Sequence, residues 1–309
     1  NHIGVPLTVL SAEPDPGAAV WEMGINHSGE IAPLCEIARP RYGIITNIGT
    51  AHIEFLGSRD AIAEEKGALA RALPEDGILF LPATCDYHSY LRQRTRASIV
   101  SVGNGRGAVR AEQPVFEAER TIFQLVIDGA GSVEIELPVA GRHMVTNALL
   151  AAATGWKLGV PLEQIAAGLA DVKLTSGRLR RYRSGEVEII DDTYNANPES
   201  MIAAIDTLAE LPVSGRRFIV LGRMGELGKY AAEGHLKVGR HAKARGLRLL
   251  AVGEGAQGIA EGGGAPHLES FDQAAGWLRT EVRPGDVVLF KGSRLAAVDT
   301  LMNSVFPQS

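Results

Sequence analysis

DDTYNANPES, Asp191 to Ser200, sets acids, a tyrosine and two asparagines between an apolar run ending in Ile190 and an amphipathic stretch. Asn197 and Pro198 make a good helix start, after which Met201, Ile205 and Leu208 fall on one side. Capping does not require Asp192, Tyr194 and Asn195 as well. Ligands of open α/β sheets bind outside the carboxyl ends of strands, and this turn stands at such an end. A second stretch, KGSR from Lys291 to Arg294, follows the apolar DVVLF and opens a helix. Cationic side chains and free N–H groups converge there, where a carboxylate could sit. Capping by Ser293 is the alternative, and it leaves Lys291 and Arg294 unexplained.

In the first half, Ile62, Lys66, Leu69 and Leu73 occupy i, i+4, i+7 and i+11 of one helical stripe. Lys66 points toward an apolar side, either as a snorkelling surface lysine or as a buried amine. Burial disfavours the ammonium and leaves neutral amine, which can add CO₂. His143 and Asn147 lie four apart on one helix face, and an amide offers the donor and acceptor that reading an adenine edge requires. Helix capping and local packing are the alternative for both. Glu22 ends the run AAVW, where a carboxylate at a sheet's carboxyl edge can hold a hard cation such as Mg²⁺ or simply be solvated. His52 and Glu54 stand in AHIEF, just past GIITN, and a lone histidine is more often a hydrogen-bonded core residue than a ligand.

These side chains need elements to position them. AAVWEMG, YGIITNIG, GILFLP and ASIVSVG read as strands, with a helix over about Asp60 to Leu73 and another before ASIVSVG, a pattern of parallel β and α. From Val109 to Val139, alternation in TIFQLVID and SVEIELPV around the turn GAGS predicts antiparallel strands. GRHMVTNALLAAATGWKLG predicts a helix ending at Gly159, and PLEQIAAGLADV a shorter one opened by Pro161. KLTSGRLRRYRSGE loses apolar periodicity, which places a domain boundary within Lys173 to Ser176. Beyond it VEIID, RFIVLG, RLLAVG and DVVLFKG predict strands, with helices starting near Pro198, Ala232, Phe271 and Ser293. The expected fold is α/β in two domains, a parallel-sheet domain with an antiparallel β segment over 1–174 and a Rossmann-like domain over 175–309.

Composition agrees with this and excludes several classes. A length of 309 residues suits two domains, and 45% apolar with 22% charged residues is ordinary for a soluble globular chain. A net charge of -5 without a Lys/Arg-rich run argues against nucleic acid. Cys35 and Cys85 have no CxxC spacing, so neither a disulfide framework nor a zinc site is expected. No apolar run reaches the roughly 20 residues that span a bilayer, and the start lacks the charge of a signal peptide. The expectation is a cytoplasmic protein without membrane insertion.

The motifs resemble those of the Mur ligase family. EMGINHSGEIAPL, TNIGTAHIEFLGS, EEKGAL, GRHMVTNALLAA, TSGR, DDTYNANPES, IVLGRMGELG and KGSR stand in the family's order and cover essentially the whole chain. The resemblance, most specific to the branch that adds D-alanyl-D-alanine, implies a central ATPase domain incomplete at its N-terminus and a C-terminal Rossmann-like domain closing over the nucleotide. It implies a monomeric, ADP-forming amide ligase that uses ATP and Mg²⁺ to join D-alanyl-D-alanine to UDP-N-acetylmuramoyl-tripeptide through an acyl phosphate. By the same resemblance Glu22, His52 and a carbamylated Lys66 hold magnesium, with His52 and Lys66 catalytic. It puts Asn147 near the adenine, His143 in the nucleotide site, Arg178 and Asn195 at the phosphates, Asp192 at the ribose or its waters, and Tyr194 on the wall. Asn47, Lys291, Ser293 and Arg294 are carried over to the substrate. Arg180, Arg181 and Arg183 are read as a solvated basic surface.

The chain departs from the family at three places. It has no GxxGK[ST] loop, and LGKY at Leu227 to Tyr230 lacks the glycine spacing and the Ser/Thr. In the family that loop precedes the segment resembling NHIGVPLT, so it and the uridine-nucleotide domain are expected upstream of Asn1, and the chain as given is not expected to turn over ATP efficiently. Arg223 in GRMGELG stands where the family commonly has Asp. GEGAQG, Gly253 to Gly258, matches GxGxxG and reads as an ordinary βα turn. Three rivals remain: another Mur-type ligase such as a folylpolyglutamate enzyme, a dinucleotide-dependent oxidoreductase, and a non-catalytic partner subunit. The oxidoreductase leaves AHIE, EEKGAL and DDTYNANP unused.

Overall fold

The computed structural model of the chain describes residues 1–13 and 16–308. Two compact units divide it, one of residues 1–114, 123–135 and 145–169, the other of 115–122, 136–144 and 170–309. The first sheet is built in chain order from helices α1 (Gly4–Leu10) and α2 (Ile31–Ala38), strand β1 (Tyr42–Ile44), α3 (Ile53–Leu56), α4 (Arg59–Ala72), β2 (Ile78–Pro82), α5 (His88–Arg92) and β3 (Ser98–Asn104). Strands β4 (Val109–Phe116), β5 (Thr121–Ile127) and β6 (Gly131–Leu137) follow, then helices α6 (Arg142–Lys157) and α7 (Leu162–Ala170). The strand order is β1-β2-β3-β4-β5-β6, with β1 to β4 parallel. Glu117 N–H donates to the Arg120 carbonyl and Asp128 N–H to the Ala108 carbonyl, while Arg120 meets Glu136 and Gln124 meets Glu134, so β4, β5 and β6 run antiparallel as the alternation predicts. Phe123, Leu125 and Ile127 of β5 are buried while the residues between them are half-buried.

The second sheet comprises β7 (Arg180–Ser184), β8 (Val187–Asp191), β9 (Arg217–Leu221), β10 (Arg248–Val252), β11 (His267–Leu268) and β12 (Val287–Lys291). Between and after these strands run α8 (Pro198–Glu210), α9 (Ala231–Ala244), α10 (Gln257–Gly263), α11 (Phe271–Glu281) and α12 (Val298–Val305). The strand order is β11-β10-β9-β12-β8-β7, parallel throughout except for β7 against β8. Every residue of β12 is buried, as a strand covered on both faces requires. Because β8, β12 and β9 are adjacent and parallel, the segments leaving their carboxyl ends, DDTYNANP, KGSR and GRMGELG, emerge along one edge. That topology places the motifs together.

Two expectations are corrected. AAVWEMG is not a strand: residues 18–24 are irregular, and Val20 is 84% exposed. A strand is held by pairing of its N–H and C=O groups, and among the described residues 18–24 form no ladder with β1, whose strand partner is β2. Conversely, part of KLTSGRLRRYRSGE forms β7. Its periodicity was hidden because an edge strand carrying three arginines covers apolar neighbours with aliphatic stems. Arg181 is accordingly not a solvated cation. Its side chain is 18% exposed and pairs with Glu188 on β8.

Candidate functional site

In the second unit the turn after β8 is fixed from beneath. Asp191 is 3% exposed, and its Oδ1 accepts from the Thr193 N–H at 3.1 Å and the Thr193 hydroxyl at 2.6 Å, while Oδ2 accepts from the Gly177 N–H at 3.2 Å. Tyr194 N–H returns to the Gly177 carbonyl at 3.0 Å. Gly177 has φ +75, and an added Cβ would meet Tyr194 N at 2.9 Å, so glycine is required in TSGR. Asn197 closes the turn as the α8 cap, in a capping box with Ser200.

Lys291, at the end of β12, is 3% exposed and holds the same turn. Its Nζ donates to Asp192 Oδ2 at 2.7 Å, to the Asn195 carbonyl at 2.9 Å and to the Asp192 carbonyl at 3.4 Å. An ammonium has three donors, and all three have acceptors in the turn, so Lys291 supports from beneath the turn it was expected to flank at the substrate. Burial pushes the Asp192 carboxyl above its ordinary value, and the Lys291 charge opposes that push. Asp192 Oδ1 also accepts from Leu179 N–H at 3.3 Å.

With the acids anchored, the turn presents other groups to solvent. Tyr194 and Asn195 are exposed, and the Arg178 guanidinium lies 4.5 Å from the centroid of the Tyr194 ring. At the neighbouring strand ends, Ser293 N–H donates to the Arg223 carbonyl and Gly222 N–H to the Lys291 carbonyl. Gly292 approaches so closely that an added Cβ would stand 2.6 Å from Val298 Cγ2. Ser293 is 5% exposed, and among the described residues its hydroxyl has no hydrogen-bond partner. Arg294 is open, with 75% of its side chain exposed and Asp299 3.9 Å away. His143, which groups with this unit, is held neutral: burial and the charge of Lys291 bring its imidazole down to about 4.

In the first unit α4 is the hub. Lys66 is half-buried and donates to the Asn47 carbonyl at 2.9 Å, so two of the expected residues meet. His52 precedes α3 in the left-handed region at φ 63, with Glu54 exposed in the first turn. Glu22 is exposed in the irregular segment rather than at a strand end, and Asn147 is exposed on α6. Among the described residues no three His, Cys, Asp or Glu side chains form a metal-sized cluster. The magnesium set inferred from the sequence relies on Lys66 for its third donor. An ammonium has no lone pair, whereas a carbamate supplies anionic oxygens and keeps one N–H for Asn47.

Three residues escaped the sequence reading. Glu65, 7% exposed, accepts from Gly29 N–H and Ile31 N–H, both at 2.7 Å, and so pins the segment after Glu22 to α4. Asp191 was read only as part of a motif. His235 on α9 accepts the Met224 N–H at Nε2 (2.9 Å) with Nδ1 2.6 Å from the Ala231 carbonyl, and burial lowers its pKa, so a neutral ring orders the GRMGELG loop. No side-chain pattern marks His235 in the sequence, since both of its partners are backbone groups.

Comparison with known proteins gives concordant matches. Residues 1–155 match the Mur ligase middle domain, and residues 177–294 match the Mur ligase glutamate ligase domain. The UDP-N-acetylmuramoyl-tripeptide--D-alanyl-D-alanine ligase of Escherichia coli (strain K12) is 35% identical over 99% of this chain and 69% of its own. The crystal structure of MurF from Acinetobacter baumannii superposes with a TM-score of 0.93 at 34% identity, over 99% of this chain and 68% of that one. MurF ligase from Thermotoga maritima in complex with ADP gives a TM-score of 0.81 at 26% identity, over 93% and 66%. The chain thus spans about two-thirds of these relatives.

Proposed function

Since the chain belongs to the Mur ligase family, we propose that it carries the nucleotide and amine-substrate sites of an ATP-dependent amide ligase that joins D-alanyl-D-alanine to UDP-N-acetylmuramoyl-tripeptide. The observation that carries this reading is the locked turn after β8, with an exposed Arg178–Tyr194 stack beside Asn195. Arg178 offers a fork to phosphate oxygens, and Tyr194 a flat wall. Asp192 and Lys291 act beneath them as the rigid support. This assigns Lys291 to positioning and leaves the Ser293 hydroxyl and Arg294 for the incoming dipeptide. His143 contributes a neutral ring, and Asn147 a donor and acceptor for the base.

A carboxylate is a poor electrophile. Its oxygen attacks the γ-phosphorus of ATP, ADP leaves, and the resulting acyl phosphate loses inorganic phosphate when the dipeptide amine attacks the acyl carbon. Magnesium would be held by Glu22, His52 and the Lys66 carbamate, and when bound it neutralises charge on the phosphoryl oxygens. Asn47 orients Lys66 through its carbonyl. The protein is proposed to act in the cytoplasm as a monomer. Carbamylation is tested by ¹³C NMR in labelled bicarbonate: a carbamate signal lost in Lys66→Arg supports the reading, and a spectrum without it in metal-loaded protein contradicts it.

A further inference from the structure

Beside β7 lies a cavity of about 440 Å³ in the second unit, walled by Val139, Leu174, Leu179, Ile190 and Leu211. Arg181 is the cation on its lining. Nη2 of Arg181 pairs with Glu188, but Nε and Nη1 are buried and, among the described residues, have no acceptor. Three N–H donors are therefore withdrawn from water without a partner, an unfavourable arrangement in an apolar wall. We propose that this cavity binds a small apolar monocarboxylate, whose oxygens accept from Arg181 while its hydrocarbon body fills the space between the leucines.

Three features define the ligand. The volume lies in the range of small-molecule sites, and the lining is mostly aliphatic. A planar fork of N–H groups suits a carboxylate. Glu188 already compensates part of the charge and Glu119 also lines the cavity, so a second negative charge on the ligand is disfavoured. Burial lowers the pKa of Arg181 against the opposing influence of Glu119, in keeping with a guanidinium short of acceptors. The site is separate from the Asp192–Lys291 support and does not depend on the ligase reading.

The test is titration calorimetry of the intact chain with 4-methylpentanoate, and with its amide as the uncharged control. Saturable one-site binding is expected, weakened about tenfold or more for the amide and in Arg181→Met. Leu174→Trp, which fills the cavity and leaves β7 unaltered, should abolish binding and carries the test if Arg181→Met does not fold. The proposal is overturned by absence of saturation at about 20 mM ligand, a regime of very weak binding. Unchanged affinity in both variants also overturns it, as does a crystal structure with the acid present in which only Glu119 or ordered water occupies Arg181 Nε and Nη1.

Discussion

Replacing Lys291 with methionine is expected to collapse the turn after β8. Methionine keeps much of the aliphatic stem in this buried position and deletes only the ammonium, leaving the Asp192 carboxylate, 14% exposed, without the partner now 2.7 Å away. Removing one member of a buried ion pair costs about 3–5 kcal/mol, because the other charge stays desolvated. The carbonyls of Asn195 and Asp192 lose a donor in the same step. Urea unfolding followed by Trp277, which packs edge-on against Phe218 in this unit, reads the loss in a background with Trp21 and Trp156 replaced by Phe. Adding Asp192→Leu should restore most of the stability, since an apolar pair has no stranded charge. A second readout is independent of stability: the His143 protonation midpoint should rise from about 4, though only partly toward 6.5, because burial is its larger cause. A Lys291→Met cost under about 1 kcal/mol, the value of an exposed pair, would refute the positioning role.

The pH dependence has a definite sign at His143. Its folded midpoint of about 4 lies below the ordinary 6.5, so the unfolded chain takes up the proton first, and stability present above 6.5 declines as pH falls toward 4, by about 3 kcal/mol at most. Subtracting the profile of His143→Gln isolates this from the raised Asp192 carboxyl, which acts in the opposite direction. Glu65→Ala should cost about 2–4 kcal/mol, since a buried carboxylate releases two backbone donors, and should speed hydrogen exchange at Gly29 and Ile31 while leaving Thr193 protected. Asn197→Ala should cost about 1 kcal/mol through the α8 capping box, read as a small shift in the urea midpoint.

Much of the second sheet was legible because its central strands carry apolar runs, FIVL in β9, LLAV in β10 and VVLF in β12, with the shorter II in β8. Helices expected near Pro198, Ala232 and Phe271 begin at Pro198, Ala231 and Phe271, each marked by a turn or cap signal. β7 was not legible, since an arginine-rich edge strand shows its pairing only once β8 is beside it. AAVWEMG failed for the converse reason, as apolar composition does not supply a hydrogen-bonding neighbour. The turn chemistry was visible in DDTYNANP, but the direction of the Lys291 ammonium was not. A strand-end cation can face a ligand or the fold, and the strand order decides which. Glu65 stood unnoticed beside Lys66 because its partners are backbone N–H groups 34 and 36 residues away, which leave no side-chain pattern.

The turn after β8 and Arg178 are proposed to form a nucleotide surface. Titration calorimetry of the chain with ADP and magnesium, alongside NAD, tests it directly. Saturable ADP binding is expected, weakened about tenfold or more in Arg178→Ala by loss of a charge-assisted phosphate contact, with no comparable NAD binding. Selective NAD binding, or ADP affinity unchanged in Arg178→Ala, would contradict it.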